Sequence, residues 1–292
     1  MANQAKIRLI AGCGYLGLRV AEQWLSSGRN VVALTRSPGR ADEFRKRGLT
    51  PLITDVSSDA DQQSLPPADV VLWAVGFDRT VGVAREDIWL RGLERLLNRL
   101  PSAPRRFLYV SSTSVYGQDD GQTVDESNPT DPKTEGGQCC VAAEQQLRQH
   151  CGQLFPETQV VILRMAGIYG PGRLLRRVSD LQTQKPLPVE PDQWLNLIHV
   201  HDAVRMVDLV SSAAAVPPVL NVVNSGTVTR RQYYARLAEL VSAPAPVFDV
   251  GTGSARQRGG NKRVVSRNRA DLNVAFAYDD VLAGLEQAVA AG

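Results

Sequence analysis

Three glycines near the N-terminus are spaced as in a turn that binds phosphate groups. They form the pattern G-x-G-x-x-G directly after the apolar segment Ile7 to Ala11. In such a turn the first glycine permits the tight bend, the second lets a pyrophosphate approach the backbone, and the third lets the following helix pack closely. The N-terminus of that helix would direct N–H groups at the phosphates. The sequence therefore predicts a dinucleotide-binding turn with contacts from Gly12, Gly14, Tyr15, Leu16 and Gly17.

A strand, helix and strand unit surrounds this turn. The helical pattern that starts at Tyr15 stops at Gly28, and an apolar second strand follows at 31–34. The alternation continues with predicted strands at 49–56, 70–75, 106–111 and 160–164 and predicted helices at 85–100 and 134–150. Strands that alternate with helices form a parallel sheet with helices on both faces. The predicted fold is α/β, a Rossmann-type doubly wound parallel sheet.

The pattern changes from about Tyr169 onward. Glycine, proline and arginine become frequent, and the predicted elements no longer alternate regularly. Short strands are predicted at 196–200 and 220–224, and helices at 202–212 and 229–242. We therefore expect a dinucleotide-binding domain over residues 1–168 and a smaller C-terminal substrate-binding lobe over 169–292, interleaved with the sheet.

The bulk composition excludes several classes of protein. The chain has 292 residues, 43% of them hydrophobic, and a net charge of +3 that is not gathered into a basic tail. We expect an ordinary mixed surface without nucleic-acid binding. The N-terminus lacks an apolar stretch long enough for a signal peptide or a membrane span, which predicts a cytoplasmic protein without membrane contact. The four cysteines and the His199-x-His201 pair lack metal-site spacing, so we predict reduced thiols and no metal.

Five ordered sequence features resemble the extended short-chain dehydrogenase/reductase family, which includes nucleotide-sugar epimerases and dehydratases. The resemblance spans nearly the whole chain. Besides the glycine turn, it rests on Asp55, on SSTSVYG at 111–117, on LRMAGIYGPG at 163–172, and on NLIHVHDA at 196–203 with LNVVN at 220–224. It implies that the C-terminal lobe closes over a small-molecule substrate. It also implies a homodimer paired through the helices at 85–100 and 134–150.

The residues after the second strand favour NADP over NAD. An acidic residue at that position would bind the ribose hydroxyls of NAD and repel a 2′-phosphate. Here Thr35 is followed by Arg36, whose planar guanidinium suits a phosphate. The alternative is that Arg36 is merely an exposed loop arginine and that NAD is bound. By resemblance, the adenine and the nicotinamide ribose would be bordered by Asp55, Val56, Ala74 and Gly76.

The catalytic residues implied by the resemblance are only partly present. Members of the family typically carry Tyr-x-x-x-Lys on a helix, where the lysine lowers the pKa of the tyrosine, and a Ser or Thr that orients the substrate oxygen. Ser112 matches this hydroxyl residue. An alignment anchored on Glu144 puts Gly136 at the tyrosine position and Cys140 at the lysine position, and neither can take the role.

Two tyrosines and a set of lobe residues are the remaining candidates. Tyr116 or Tyr169 could supply an acid, and for both the alternative is a packing role in a turn. For the substrate, Asn196, His199 and Arg173 are the individual candidates, with a structural hydrogen-bonding role as the alternative for His199. Basic clusters that would fit an anionic substrate, or form a solvated face, are Arg173, Arg176, Arg177, Arg256, Arg258, Lys262 and Arg263.

Two functions follow from these patterns. The first is an NAD(P)-dependent oxidoreductase or epimerase, with NADP favoured, that acts on a carbonyl or hydroxyl of a small anionic substrate such as a nucleotide sugar. The second is a catalytically inactive sensor or scaffold that binds NADPH. Ser112 and the lobe motifs favour the enzyme, whereas the missing Tyr and Lys favour the sensor.

Overall fold

The computed structural model describes residues 6–61, 63–77, 82–173, 177–249 and 260–292. Its strands are β1 (Ile7–Ala11), β2 (Asn30–Thr35), β3 (Thr50–Ile53), β4 (Val70–Trp73), β5 (Arg106–Ser112), β6 (Thr123–Val124), β7 (Gln159–Met165), β8 (Gly167–Tyr169), β9 (Trp194–Leu195), β10 (Leu197–His199), β11 (Val219–Val222), β12 (Val228–Thr229) and β13 (Arg263–Val264). Its α-helices are α1 (Tyr15–Ser26), α2 (Pro38–Lys46), α3 (Gly92–Asn98), α4 (Glu135–Leu154), α5 (Val178–Gln182), α6 (Val200–Ser212), α7 (Arg230–Leu240) and α8 (Val281–Ala290).

A seven-stranded sheet carries the strand order β11-β7-β5-β4-β1-β2-β3. The pairings of β3 with β2, β2 with β1, β1 with β4, and β4 with β5 are parallel. Leu9 in β1 lies opposite Val32 on one side and Val71 on the other. The chain runs outward from β1 to β3 and then returns to β4 on the other side of β1, which creates the switch point typical of a doubly wound sheet. The predicted fold class is confirmed.

Helix α1 forms because its apolar residues recur on one face. Leu16, Val20 and Trp24 are spaced four residues apart and are at most 5% exposed. They cover the sheet whose inner residues, such as Leu9 and Ile10, are fully buried. The helix therefore begins directly behind the glycine turn and holds that turn against the end of β1.

The helix predicted over 85–100 is not a continuous α-helix. Asp87–Arg91 form a π-helix, and α3 follows at Gly92–Asn98. The wider turn accompanies a hydrogen bond from Trp89 Nε1 to the carbonyl oxygen of Val75, at 2.9 Å. A π-turn shifts the phase of the residues after it, which allows the apolar face of α3 to be buried independently of Trp89.

The chain divides into two compact units that alternate along the sequence. Unit 1 contains Met1–Ser111, Glu135–Leu163 and Val204–Val219, and unit 2 contains Ser112–Thr134, Arg164–Ala203 and Leu220–Gly292. Each unit has its own apolar core, around Trp73 and Leu97 in unit 1 and around Tyr169 and Leu285 in unit 2. Within the described ranges, no helix is both long and apolar enough to cross a membrane.

Candidate functional site

Backbone crowding explains two of the three glycines in the turn. Gly12 has a φ of +95°, and a methyl group on it would stand 2.4 Å from the backbone of Ala74. A methyl group on Gly17 would stand 2.2 Å from the carbonyl oxygen of Gly12. Neither position can hold a side chain without moving backbone, so the end of β1, the end of β4 and the start of α1 pack directly on one another.

Gly14 is different because the space beside it is open. A methyl group on Gly14 would meet no atom of the described residues within 4 Å. Helix α1 starts at the next residue without a side-chain cap, which leaves its N-terminal dipole directed at this space. Backbone that lies open at an uncapped helix N-terminus fits a pyrophosphate. Leu16 is buried, so only its backbone is suited to contact a ligand, while the ring of Tyr15 is half-buried under the guanidinium of Arg19.

Two arginines follow the end of β2. The hydroxyl of Thr35 accepts a hydrogen bond from the backbone N–H of Ser37 at 3.2 Å. Arg36 is exposed, as expected from its loop position. Arg40, which the sequence analysis missed, donates from Nη2 to the carbonyl oxygen of Cys13 within the glycine turn, at 2.7 Å. Its position in the first turn of α2, three residues after the N-cap Ser37, is the signal that could have identified it.

The other predicted cofactor residues lie at the same edge of the sheet in unit 1. The carboxylate of Asp55 accepts hydrogen bonds from the backbone N–H of Ser57 at 2.8 Å and from its hydroxyl at 2.6 Å. Val56 and Ala74 are half-buried and Gly76 is exposed. The backbone of Ala74 also donates to the carbonyl of Ala11 at 2.8 Å, next to Gly12. The structure thus gathers these residues around the ends of β1 to β4.

In unit 2, Ser112 and Tyr116 have different surroundings. Ser112 is half-buried, and its hydroxyl accepts a hydrogen bond from the backbone N–H of Ser114 at 3.1 Å. Tyr116 is 1% exposed, donates to Oδ1 of Asn221 at 2.9 Å and accepts from Nη1 of Arg164 at 3.0 Å. Burial raises the pKa of Tyr116, and Arg164 opposes that rise. This geometry favours a packing role for Tyr116.

Tyr169 is also enclosed. Its side chain is fully buried, and its hydroxyl donates to the carbonyl oxygen of Val281 at 3.3 Å. A methyl group on Gly284 would stand 2.1 Å from that hydroxyl, so helix α8 packs directly on it. Burial raises the pKa of Tyr169 far above its ordinary value. A buried phenol that stays protonated and contacts a carbonyl is a packing group.

Asn196 and His199 both hold unit 2 together. Nδ2 of Asn196 donates to the carbonyl of Lys262 at 2.9 Å, and Oδ1 accepts from the N–H of Val264 at 2.8 Å. His199 is 1% exposed, and its ring lies 5.1 Å from that of Tyr169 and 4.2 Å from that of Tyr278. Burial lowers the pKa of His199 below its ordinary value of 6.5. These contacts favour the structural alternative for His199.

The described basic residues of the lobe have different surroundings. Arg173 is exposed, and Arg177 pairs with Asp180 at 2.7 Å. Lys262 is 3% exposed, and burial lowers its pKa. Three members of the predicted clusters lie outside the described residues: Arg176, Arg256 and Arg258.

Helix α4 presents no phenol or ammonium at the two positions where the alignment expects them. Gly136 lies one residue inside the helix, and Cys140 is 3% exposed. Burial raises the pKa of the Cys140 thiol to about 12, so it is uncharged at neutral pH. One turn further, the carboxylate of Glu144 accepts a hydrogen bond from the buried hydroxyl of Ser111 at 2.6 Å. In the described part of the chain, no cluster of three or more His, Cys, Asp or Glu side chains could hold a metal ion.

Comparisons with known proteins agree with this architecture. Residues 9–224 match the model of the NAD dependent epimerase/dehydratase family. Protein YeeZ of Escherichia coli strain K12 is 25% identical over 279 residues, which cover 92% of this chain and 94% of that protein. A dTDP-6-deoxy-L-talose 4-dehydrogenase (NAD(P)(+)) of Kitasatospora kifunensis is 23% identical, covering 85% of this chain and 84% of the relative.

A solved structure shows the same fold. The UDP-glucuronic acid 4-epimerase of Bacillus cereus, in complex with UDP-glucuronic acid and NAD, superposes with a TM-score of 0.78. The alignment covers 98% of each chain at 16% identity.

Proposed function

The chain belongs to the NAD dependent epimerase/dehydratase family, and we propose that it is an NADP-dependent oxidoreductase or epimerase. Its substrate would be a small anionic molecule, such as a nucleotide sugar, with a reacting carbonyl or hydroxyl group. The observation that carries this proposal is the open backbone at Gly14, next to an uncapped helix N-terminus. When bound, the nicotinamide supplies the hydride chemistry, and the chain supplies position and electrostatics.

The charges after β2 support NADP over NAD. The segment from Thr35 to Arg40 contains two arginines and no acid. Arg40 already reaches the glycine turn through Cys13, and Arg36 is exposed beside Thr35. Guanidinium groups bind a phosphate through several charge-assisted hydrogen bonds, and no carboxylate in this segment repels it. We assign the 2′-phosphate of NADP to Arg36 and Arg40.

The remaining contacts follow from the edge of the sheet. Asp55 and Val56 would border the adenine, and Ala74 and Gly76 would border the nicotinamide ribose. The hydroxyl of Ser112 would orient the reacting oxygen. Support for the substrate class comes from two similar proteins. One is named a dTDP-6-deoxy-L-talose 4-dehydrogenase (NAD(P)(+)), and the other is solved in complex with UDP-glucuronic acid and NAD.

Calorimetric titration with NADPH and NADH tests the cofactor. We expect the protein to prefer NADPH, and we expect Arg36→Ala to weaken NADPH about tenfold or more while NADH changes less than about twofold. Arg45→Ala is a matched control, because Arg45 lies on α2, the helix that follows Arg36, is 56% exposed and pairs with Asp42. A preference for NADH, or an equal loss of both cofactors in Arg36→Ala, would contradict the NADP assignment.

Turnover separates the enzyme from a cofactor sensor. The same titration is repeated with a panel of nucleotide sugars, followed by an assay for oxidation, reduction or epimerisation of those that bind. An enzyme should lose turnover in Ser112→Ala and keep its affinity for NADPH. Tight NADPH binding with no sugar bound and no turnover would instead support the sensor.

A further inference from the structure

Arg85 is a buried cation that the proposed function does not yet use. Its side chain is 10% exposed and lies over two aromatic rings, with the guanidinium carbon 4.5 Å from the ring centre of Phe77 and 5.3 Å from that of Trp89. Nη1 lies 3.3 Å from a carboxylate oxygen of Glu135, whose side chain is 70% exposed. Nε is buried, and no described residue accepts a hydrogen bond from it.

Among the described residues, Arg85 forms an ion pair with Glu135, and none accepts a hydrogen bond from its Nε. A guanidinium carries five N–H donors and stays charged in proteins. Burying such a group is costly unless it is paired and hydrogen-bonded, and an exposed carboxylate such as Glu135 contributes little to that pairing. An anion bound beside Nε would supply the acceptor that this donor lacks among the described residues.

Contacts within unit 1 connect the side chain of Arg85 to the cofactor turn through Trp89 and Val75. Trp89, which stacks on Arg85, donates to the carbonyl oxygen of Val75 directly after β4. The backbone N of Val75 would lie 2.5 Å from a methyl group on Gly12. In doubly wound sheets, ligands bind at these carboxyl ends of the strands. The π-helix that carries Trp89 is a second indication, since such segments occur frequently at functional sites.

Gly136 gives the guanidinium its space. A methyl group on Gly136 would stand 3.4 Å from Nη1 of Arg85 and 3.6 Å from its guanidinium carbon. Any longer side chain in that direction would fill the volume that the cation now occupies. The position of the Arg85 guanidinium therefore depends on Gly136. A larger side chain at position 136 would project into the space that the cation occupies.

We propose that Arg85 binds a carboxylate of the substrate, and that the substrate is therefore an acidic nucleotide sugar. This inference rests on the proposed function and specifies its substrate class. Carboxylates and phosphates both match the Nε and Nη edge of a guanidinium in a bidentate contact, and the position of Arg85 is what favours the carboxylate. The location beside Val75 and Gly76 puts this contact near the nicotinamide end of the cofactor site, where the sugar ring reacts.

Binding of two probes that differ in one carboxylate tests the proposal. UDP-glucuronic acid and UDP-glucose are titrated into the full chain loaded with NADPH. The wild type should bind UDP-glucuronic acid at least about tenfold more tightly. Arg85→Met, which keeps an apolar stem between the two rings, should weaken UDP-glucuronic acid about 30-fold or more and change UDP-glucose and NADPH less than about twofold.

Two further variants keep the test interpretable. Arg91→Met is the matched control, because Arg91 lies on the π-helix that follows Arg85, is 68% exposed and pairs with Asp87. The affinities of this variant should equal those of the wild type. Arg85→Lys keeps the charge without the planar fork and should lose part of the preference. It also serves as the test variant if Arg85→Met does not fold, as judged from its thermal melting.

The outcomes separate this inference from the proposed function. If the wild type binds both UDP sugars equally, or if Arg85→Met weakens both alike, the carboxylate assignment is wrong and the nucleotide-sugar function stands. If the wild type binds neither sugar, this inference fails, and the wider panel of nucleotide sugars then decides on the proposed function. Loss of the preference for UDP-glucuronic acid in Arg85→Met, with UDP-glucose binding retained, supports the assignment.

Discussion

Residues of one type can have unrelated roles in a single turn. Gly12 and Gly17 are required by neighbouring backbone atoms 2.2 to 2.4 Å from an added methyl group, whereas Gly14 has open space beside it. Gly12 and Gly17 are thus requirements of folding, whereas the backbone of Gly14 is open to the proposed cofactor. Thermodynamic measurements can distinguish these roles.

Alanine at Gly17 should mainly lower stability, whereas alanine at Gly14 should mainly lower the affinity for NADPH. Gly17→Ala should lower the free energy of unfolding by about 1 to 3 kcal/mol, because backbone must move to admit the methyl group. Gly14→Ala should lower it by no more than about 1 kcal/mol, because the space beside it is open and only its ψ of −147°, outside the usual β region, disfavours alanine. It should nevertheless weaken NADPH about tenfold.

Urea denaturation and calorimetric titration measure the two effects. Gly14→Ala and Gly17→Ala are each other's controls, since they differ by one helical turn. Wild-type NADPH affinity in Gly14→Ala would show that the cofactor phosphates do not approach this backbone. Full stability in Gly17→Ala would show that the contact with Gly12 is not as tight as described.

The role of a single residue could not be predicted from the sequence where its side-chain partner lies far away along the chain. The glycine turn was predictable because its signal lies within six residues. Tyr116 is satisfied by Asn221, which is 105 positions away, and no local pattern indicates that pairing. Likewise, nothing near Gly136 in the sequence indicates that Arg85 occupies the space beside it.

At the scale of elements, three arginines donate hydrogen bonds to the C-terminal end of helix α6. Arg8 lies in β1, Arg106 is the first residue of β5, and Arg105 directly precedes it. Nη1 of Arg8 and Nη2 of Arg105 donate to the carbonyl oxygen of Ser211, at 3.2 and 2.7 Å. Arg106 donates to the carbonyls of Val210 and Ala213. Burial lowers the pKa of Arg8 to about 10, so it remains a cation at neutral pH. Cations at a helix C-terminus complement the negative end of its dipole.

Arg106→Met should destabilise the chain strongly. The guanidinium of Arg106 is 1% exposed, and its loss leaves buried carbonyl oxygens and Oε1 of Gln159 without their donor. We expect the free energy of unfolding in urea to fall by about 2 to 4 kcal/mol. The control is Arg45→Met, which breaks an exposed ion pair with Asp42 and should cost less than about 1 kcal/mol. Equal effects in both variants would refute the capping role.

The bounds of a helix or strand could be predicted where the pattern of apolar residues lies within the element itself. The strand predicted at 7–11 is observed as Ile7–Ala11, and the helix predicted at 134–150 is observed as Glu135–Leu154. The π-helix at Asp87–Arg91 was not predictable, because it depends on the contact of Trp89 with Val75. Periodicity reports which face is apolar and does not report which partner that face meets.

At the scale of the whole molecule, the fold class was predictable because strands and helices alternate over the first 165 residues. The division into units was harder to predict, because each unit is assembled from three separate segments. The strand predicted at 220–224 is the clearest case: β11 at Val219–Val222 extends the main sheet beside β7. The homodimer stays a prediction, which light scattering tests. The assignment of cofactor binding to residues 1–168 and of substrate binding to residues 169–292 also stays a prediction.

The interleaved segments also determine the order in which the chain can fold while it is being synthesised. Unit 1 takes its last segment from Val204–Val219, so most of the polypeptide must leave the ribosome before that unit is complete. Until β7 has been made, β5 is a free edge of the growing sheet, and such edges are prone to pair with other chains. Translation that stops before residue 219 therefore leaves both units unfinished, with an unprotected sheet edge in the shortest products.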